Sequence, residues 1–144
     1  MLNLYALSYE EENYPPVAGK ILGLFFISNK KHLSFEEIME AVKASKSATS
    51  KAIKLLLASG EINFEFLEGN KRKRHFYLDI KGTIEHFKRL VEGLNMQSEL
   101  YRETLKFRTD ENEELSQFIQ NNINLNTELA LFGEKLIKKH FKKK

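Results

Sequence analysis

The sequence predicts a mainly α-helical chain carrying one small β-hairpin, and three observations predict it. Across residues 15–60, apolar residues recur at three- and four-residue spacing in three blocks, each bounded by helix-start and helix-stop residues. Segments 62–66 and 76–80 then alternate apolar and polar residues on either side of a turn containing Gly69-Asn70. From Ile84 onward the helical spacing returns and, with one polar break, runs almost to the C-terminus.

Pro15-Pro16 opens the first clear helix, because proline is tolerated where the opening N–H groups have no partner. This helix is expected to run to about Ser28, with Asn29 ending it, and it is apolar on nearly every side, which implies a central, buried position. Gly19 and Gly23, four apart, leave room for a neighbouring helix, whereas the segment is too short for a membrane-dimer motif. Ser34-Phe35-Glu36-Glu37 matches a capping box, opening a helix from Phe35 to about Lys43 with Phe35, Ile38, Met39 and Val42 inward. Ala44 leaves a short turn before Ser45, the N-cap of the next helix. There Thr49, Ala52, Ile53, Leu56 and Leu57 form the inner stripe, and Lys46, Ser47, Ser50, Lys51 and Lys54 fall on the other face. Gly60 ends the helix. In the hairpin that follows, Lys71, Arg72, Lys73 and Arg74 occupy the tip and the start of the return strand.

The last two helices each carry a heptad-type seam. One is Ile84, Phe87, Val91, Leu94, Ser98, Tyr101 and Leu105; the other, after the break at residues 109–112, is Leu115, Phe118, Asn122, Leu125, Leu129, Phe132 and Leu136. Asn122 is a polar residue on its seam, of the kind that fixes register or oligomer state. A helical hairpin of this length has more apolar stripe than a single chain easily hides. Residues 83–144 are therefore expected to pair with a second copy, the alternative being that the two helices pack only on each other and on residues 1–82.

Composition narrows the setting. The chain has 144 residues, 42% hydrophobic and 30% charged, enough for one small domain with helical extensions. With no cysteine, disulfides, thiolate catalysis and cysteine-ligated zinc are excluded, which fits a reducing compartment. No apolar run approaches the roughly 20 residues of a spanning helix, and the N-terminus lacks a signal pattern, so a cytoplasmic location off the membrane is expected. Charge is segregated: residues 15–82 hold 12 Lys/Arg against 7 Asp/Glu, residues 83–137 hold 6 against 10, and five lysines close the chain. A polyanion is therefore expected to meet the first half.

The order of helix, tight turn, helix and basic hairpin is that of a winged helix-turn-helix. Such proteins set the start of the second helix against base edges in the major groove. Here that start presents Ser45, Lys46, Ser47, Ser50 and Lys51, with Lys54 a turn further along suited to backbone phosphate. Alternation along the hairpin would aim Arg72 and Arg74 the same way, toward a narrow minor groove, with Lys71 and Lys73 beside them. Basic residues also serve simply to keep a sheet edge soluble.

The segment from Pro15 to Gly23, the helix start Ser45-Lys46-Ser47-Ala48-Thr49-Ser50, the run Ala58-Ser59-Gly60-Glu61-Ile62 and the basic wing together resemble the GbsR branch of the MarR-type transcriptional regulators. The resemblance covers residues 15–82, and the C-terminal half in pattern only. It implies a homodimer, a recognition helix at residues 45–59, a wing at residues 68–74, and binding to double-stranded operator DNA that usually represses and, in the family, can answer to a small-molecule effector. Two departures are present. No acidic residue directly precedes Arg72, and only 14 residues precede Pro15, where relatives generally carry a longer helix, so the dimer is expected to lean on its C-terminal helices.

Other chemistry finds little support. His32, His75, His86 and His140 lack metal-ligand spacing, and no phosphate-loop or dinucleotide fingerprint occurs, so no enzyme, metal or cofactor is expected. Glu99 and Glu103 sit at i, i+4 but fit a solvated helix face better than a catalytic pair. Phe25, Phe26, Phe87, Tyr101 and Phe107 could wall an effector cavity, although aromatics at helical spacing also form cores. The rival to DNA binding is a protein–protein module on a winged-helix scaffold, with the heptad helices recruiting the partner.

Overall fold

The computed structural model describes residues 1–69 and 71–142, so that Asn70 of the expected hairpin turn and Lys143 and Lys144 of the basic tail lie outside the described residues. Among the described residues the elements run α1 (Leu2–Glu10), α2 (Pro16–Ile27), β1 (Leu33–Ser34), α3 (Phe35–Val42), α4 (Lys46–Ser59), β2 (Ile62–Phe66), β3 (Arg74–Leu78), α5 (Ile80–Leu105), a 3-10 turn at Asp110–Asn112, and α6 (Glu113–His140). The chain divides into two compact units, Met1–Thr83 and Ile84–Lys144. It is mainly helical with a small antiparallel sheet, a winged helix-turn-helix followed by a helical hairpin.

In the first unit the core is built around α2. Ala18, Ile21, Leu22 and Phe25 pack with Ile38 and Val42 of α3, with Ala52, Ile53 and Leu56 of α4, and with Leu33, Ile62 and Phe76 of the sheet. Burying one such aliphatic or aromatic side chain contributes roughly 1.5–3 kcal/mol, so the periodic stripes of the sequence are also the main source of stability. The sheet has strand order β1-β3-β2. Phe64 pairs with Phe76 and Ile62 with Leu78, while Leu33 pairs with Phe76 from the other side. The sequence predicts only the hairpin; β1 is two residues long and too short to show a period.

α1 is an element the sequence reading did not contain. Its stretch is amphipathic only weakly, and packing against α2 accounts for it. A Cβ on Gly19 would lie 2.9 Å from the backbone Cα of Ala6, and one on Gly23 would lie 2.5 Å from the Tyr5 ring. The two glycines thus form the expected close-approach surface, and α1 is the helix that uses it. Tyr14, between α1 and α2, donates its phenol to the carboxylate of Glu61, which is 4% exposed and also accepts from Ser59 Oγ at 2.8 Å. Burial, and next the hydrogen bond to Glu61, push the Tyr14 phenol well above its ordinary range. A buried carboxylate is tolerable only with such donors, and here it ties the α1–α2 loop to the end of α4.

In the second unit α5 and α6 pack as a hairpin. Ser98, Ile119, Ile123, Asn126 and Ala130 are buried in it. A Cβ on Gly133 would lie 2.9 Å from Val91 Cγ2, which marks a close approach of the two helices. Asn126 donates to Gln97 Oε1 at 2.9 Å. The buried amide of the hairpin is therefore Asn126, whereas Asn122 is half-buried and donates to the carbonyl of Phe118 at 3.1 Å. No helix among the described residues is long and apolar enough to cross a membrane.

Candidate nucleic-acid interface

α3 and α4 are set by their ends. Ser34 Oγ accepts from the Glu37 N–H at 3.1 Å while Glu37 Oε1 accepts from the Ser34 N–H at 3.1 Å, completing the expected capping box. Lys30 bonds to the same carboxylate. The Lys30 ammonium and then the Ser34 N–H hold the Glu37 carboxyl below the usual range. α3 stops at Lys43, which has φ 53°, a left-handed conformation uncommon outside glycine. That kink, with Ala44, makes the tight turn. Ser45 then caps α4, its Oγ accepting from the Ala48 N–H at 3.1 Å.

Thr49, Ala52, Ile53 and Leu56 face the core, which leaves Lys46, Ser47, Ser50, Lys51 and Lys54 on the exposed side. Among the described residues none of these three lysines has an acidic partner. The positive end of the helix dipole and its unpaired N–H groups add to their field. Chemically, this is a convex, cationic, hydroxyl-bearing helix start with no competing carboxylate.

The hairpin departs from the arrangement expected of it. Arg72 lies in the turn ahead of β3, so strand alternation does not align it with Arg74. The Arg74 guanidinium rests over the rings of Phe64 and Phe76, 5.1 and 5.2 Å from their centres. Lys73 reaches back to Glu36 on α3, with 3.9 Å between Nζ and Oε2. Lys71 and Arg72 are exposed at the turn. The wing cations are thus divided between brace and tip, a division that one-dimensional spacing does not encode. On the opposite face of the sheet His32 bonds to Glu65 and meets Tyr77 edge-on at 5.7 Å, with Lys31 Nζ 5.6 Å from the Tyr77 ring centre. His75, expected at the surface, is half-buried between its cross-strand neighbours Ser34 and Glu65.

The residues expected at a dimer interface also divide. On α5, Val91, Leu94 and Tyr101 are half-buried, Val91 against Gly133, and the Phe87 ring lies 6.1 Å from Phe141 within the same unit. On α6, Phe118 is 61% exposed, Phe132 62%, and Leu115, Leu125, Leu129 and Leu136 are exposed as well. Two apolar stripes exist on α6: Ile119, Ile123, Asn126 and Ala130 turn toward α5, and the predicted seam is left bare. α5 has a second exposed set, Leu90, Met96 and Leu100. The aromatics considered for an effector cavity are dispersed. Phe25 is in the first core, Phe26 stacks on Tyr5 at 5.9 Å, and Phe107 is 83% exposed. Among the described residues no group of three or more His, Asp or Glu is placed to hold a metal ion.

No family model matches the chain, and no curated protein matches it. Solved structures do. A crystal structure of a transcriptional regulator aligns with 99% of this chain and 96% of its own, at 17% identity and a TM-score of 0.77. MepR of S. aureus in its DNA-binding conformation aligns with 88% of this chain and 86% of its own, at 18% identity and a TM-score of 0.47. The transcriptional regulator SlyA aligns with 94% and 89%, at 17% identity and a TM-score of 0.43. At these identities the likeness concerns the fold, and the first of them covers the winged helix and the helical hairpin together.

Proposed function

We propose that the chain is a sequence-specific DNA-binding transcriptional regulator of the MarR type, GbsR-like by its sequence motifs, acting in the cytoplasm as a homodimer and usually as a repressor. Residues 1–82 supply the DNA-binding part and residues 83–144 the dimerisation part. Ser45, Lys46, Ser47, Ser50 and Lys51 on α4 enter the major groove, and Lys54, Lys71 and Arg72 meet phosphate. Arg74 and Lys73 hold the wing while remaining close enough to the backbone to add to its field. The dimer is made chiefly by the bare stripe of α6. A small-molecule effector is part of what the family resemblance implies.

The observation that carries this is the face of α4: three lysines and two serines on the exposed side of a capped helix, with no acidic partner among the described residues. A merely solvated helix gains from interspersed carboxylates at i, i+4; this one has none, and phosphate would supply them. The test is Lys51→Ala, with binding measured on an operator duplex and on random duplex. Specific binding should fall more than non-specific binding, since a base-edge contact is worth about 1–3 kcal/mol of discrimination. Equal losses on both duplexes would confine Lys51 to the backbone and remove the base-reading role.

The second reading, a partner-binding module on the same scaffold, draws on the exposed apolar stripe of α6. Salt response separates the two, because DNA binding releases counterions and weakens steeply with salt while an apolar interface changes little.

A further inference from the structure

Where the first turns of α5 meet the last turn of α6, the helical unit carries a cleft of about 290 Å³ lined by Ile84, Lys88, Ile137, Lys138, Phe141 and Lys142. Its chemistry is segregated. Ile84, Ile137 and Phe141 form an apolar floor, which the Phe87 ring extends, and three lysines form the rim with no carboxylate among them. Lys88 is paired with Glu85 at 3.2 Å. Lys138 and Lys142 have no acidic partner among the described residues.

Neither half of this arrangement is explained by folding. Converging ammonium groups repel, by about 1 kcal/mol per pair at 4 Å even in bulk water, and Phe141 is left 46% exposed. Nor does a nucleic-acid backbone suit it, because a phosphate gains nothing from an isoleucine and phenylalanine floor. An adjoining cleft shares Lys88, Ile137 and Lys138 but adds Glu92 and Glu134, which repel an anion. The negative head is therefore directed to Lys138 and Lys142. The volume sits at the lower edge of small-ligand sites, roughly 300–1,000 Å³, which limits the apolar body to a short chain or a single ring. On α6, Lys138 follows Leu129 by about two and a half turns and so leaves the helix on roughly the opposite side. A second copy packed on the Leu129 stripe leaves the cleft open.

The geometry points to a binding site for a small amphipathic anion, a carboxylate on a short apolar body, with Lys138 and Lys142 holding the carboxylate and Phe141 and Ile137 the body. This is independent of DNA binding and is tested without DNA, by calorimetric titration of the full chain with octanoate, octanol and octylammonium. Octanoate should bind saturably and about tenfold more tightly than octanol, and octylammonium should not bind. The Lys138→Gln/Lys142→Gln variant should lose about tenfold in octanoate affinity with octanol unchanged, and Phe141→Ala should weaken both. All three substituted side chains are exposed, and circular dichroism verifies that the variants fold. Equal affinities for octanoate and octanol, an octanoate response that does not saturate, or wild-type octanoate affinity in the double variant would each overturn the site. A shallower salt slope for DNA in the double variant would also overturn it, by showing that these lysines serve phosphate.

Discussion

The Arg74 guanidinium lies 5.1 Å from the centre of the Phe64 ring and reaches across the β2–β3 ladder to do so. An arginine that a sequence would assign to DNA is therefore also part of the sheet. Cation–π contacts at such exposed sites contribute about 0.5–1 kcal/mol each, and Phe76 offers a second ring. Arg74→Ala should lower stability by about 1 kcal/mol in urea unfolding. Arg74→Lys should recover only part of that, because a point charge lacks the planar stacking surface. Arg72→Ala should instead flatten the salt slope of DNA binding by about one unit, the release expected for a single phosphate contact; an unchanged slope would take the wing tip out of the interface.

Gly23→Ala should be costly although alanine favours helix. The added Cβ would stand 2.5 Å from Tyr5 Cγ and 2.7 Å from Tyr5 Cβ, atoms too near the α1 backbone to swing away. Overpacking of this kind costs about 1–3 kcal/mol. The expected result is a lowered thermal midpoint with faster amide exchange in α1; a midpoint raised by the better helix propensity would show that α1 does not pack on Gly23 in solution.

The capping box gives a pH dependence with a definite sign. Glu37 has a folded pKa below its unfolded value, through Lys30 and the Ser34 N–H. Its contribution is therefore present above the unfolded pKa and is lost as pH falls through the folded one. The side chain of Glu37 is 43% exposed, so solvent screening reduces the effect to a few tenths of a kcal/mol. Wild type should exceed Glu37→Gln in stability at neutral pH, and the two should converge in acid. Ser34→Ala removes the cap itself and should cost about 1 kcal/mol at any of these pH values.

Phe132→Glu and Leu129→Glu place charge on the bare stripe of α6. If that stripe meets a second copy, each should shift the chain to monomer in sedimentation equilibrium, since a desolvated, unpaired charge costs several kcal/mol. Unchanged sedimentation by both variants would locate the dimer contact elsewhere. Ile119→Glu should behave differently and unfold the hairpin, because Ile119 is buried within the chain.

Several features were legible in sequence because they are local. The Ser34 and Ser45 caps, the Gly60 stop, the inner stripe of α4 and the alternation of β2 and β3 each follow from residues within a turn or two of one another. What was not legible depends on partners distant in sequence. α1 owes its place to Gly19 and Gly23, and the Glu61 carboxylate is buried by Tyr14, 47 residues away. The heptad seams illustrate the limit best. Periodicity found the Val91 seam of α5, which the hairpin uses internally, and on α6 it found the bare stripe rather than the Ile119 and Ile123 stripe that packs inside. Spacing shows that a face is apolar; it does not say which neighbour covers it. The extended basic run at the wing is similar, because the positions of Phe64 and Glu36 decide which cations remain at the tip.

The most direct measurement of the central claim is fluorescence anisotropy with labelled duplexes drawn from the DNA flanking the protein's own gene, competed with random duplex across a salt series. A regulator that reads DNA through α4 should bind one of these duplexes tightly, resist the competitor and weaken steeply as salt rises. Binding to every duplex no tighter than to random DNA, or with no dependence on salt, would contradict it.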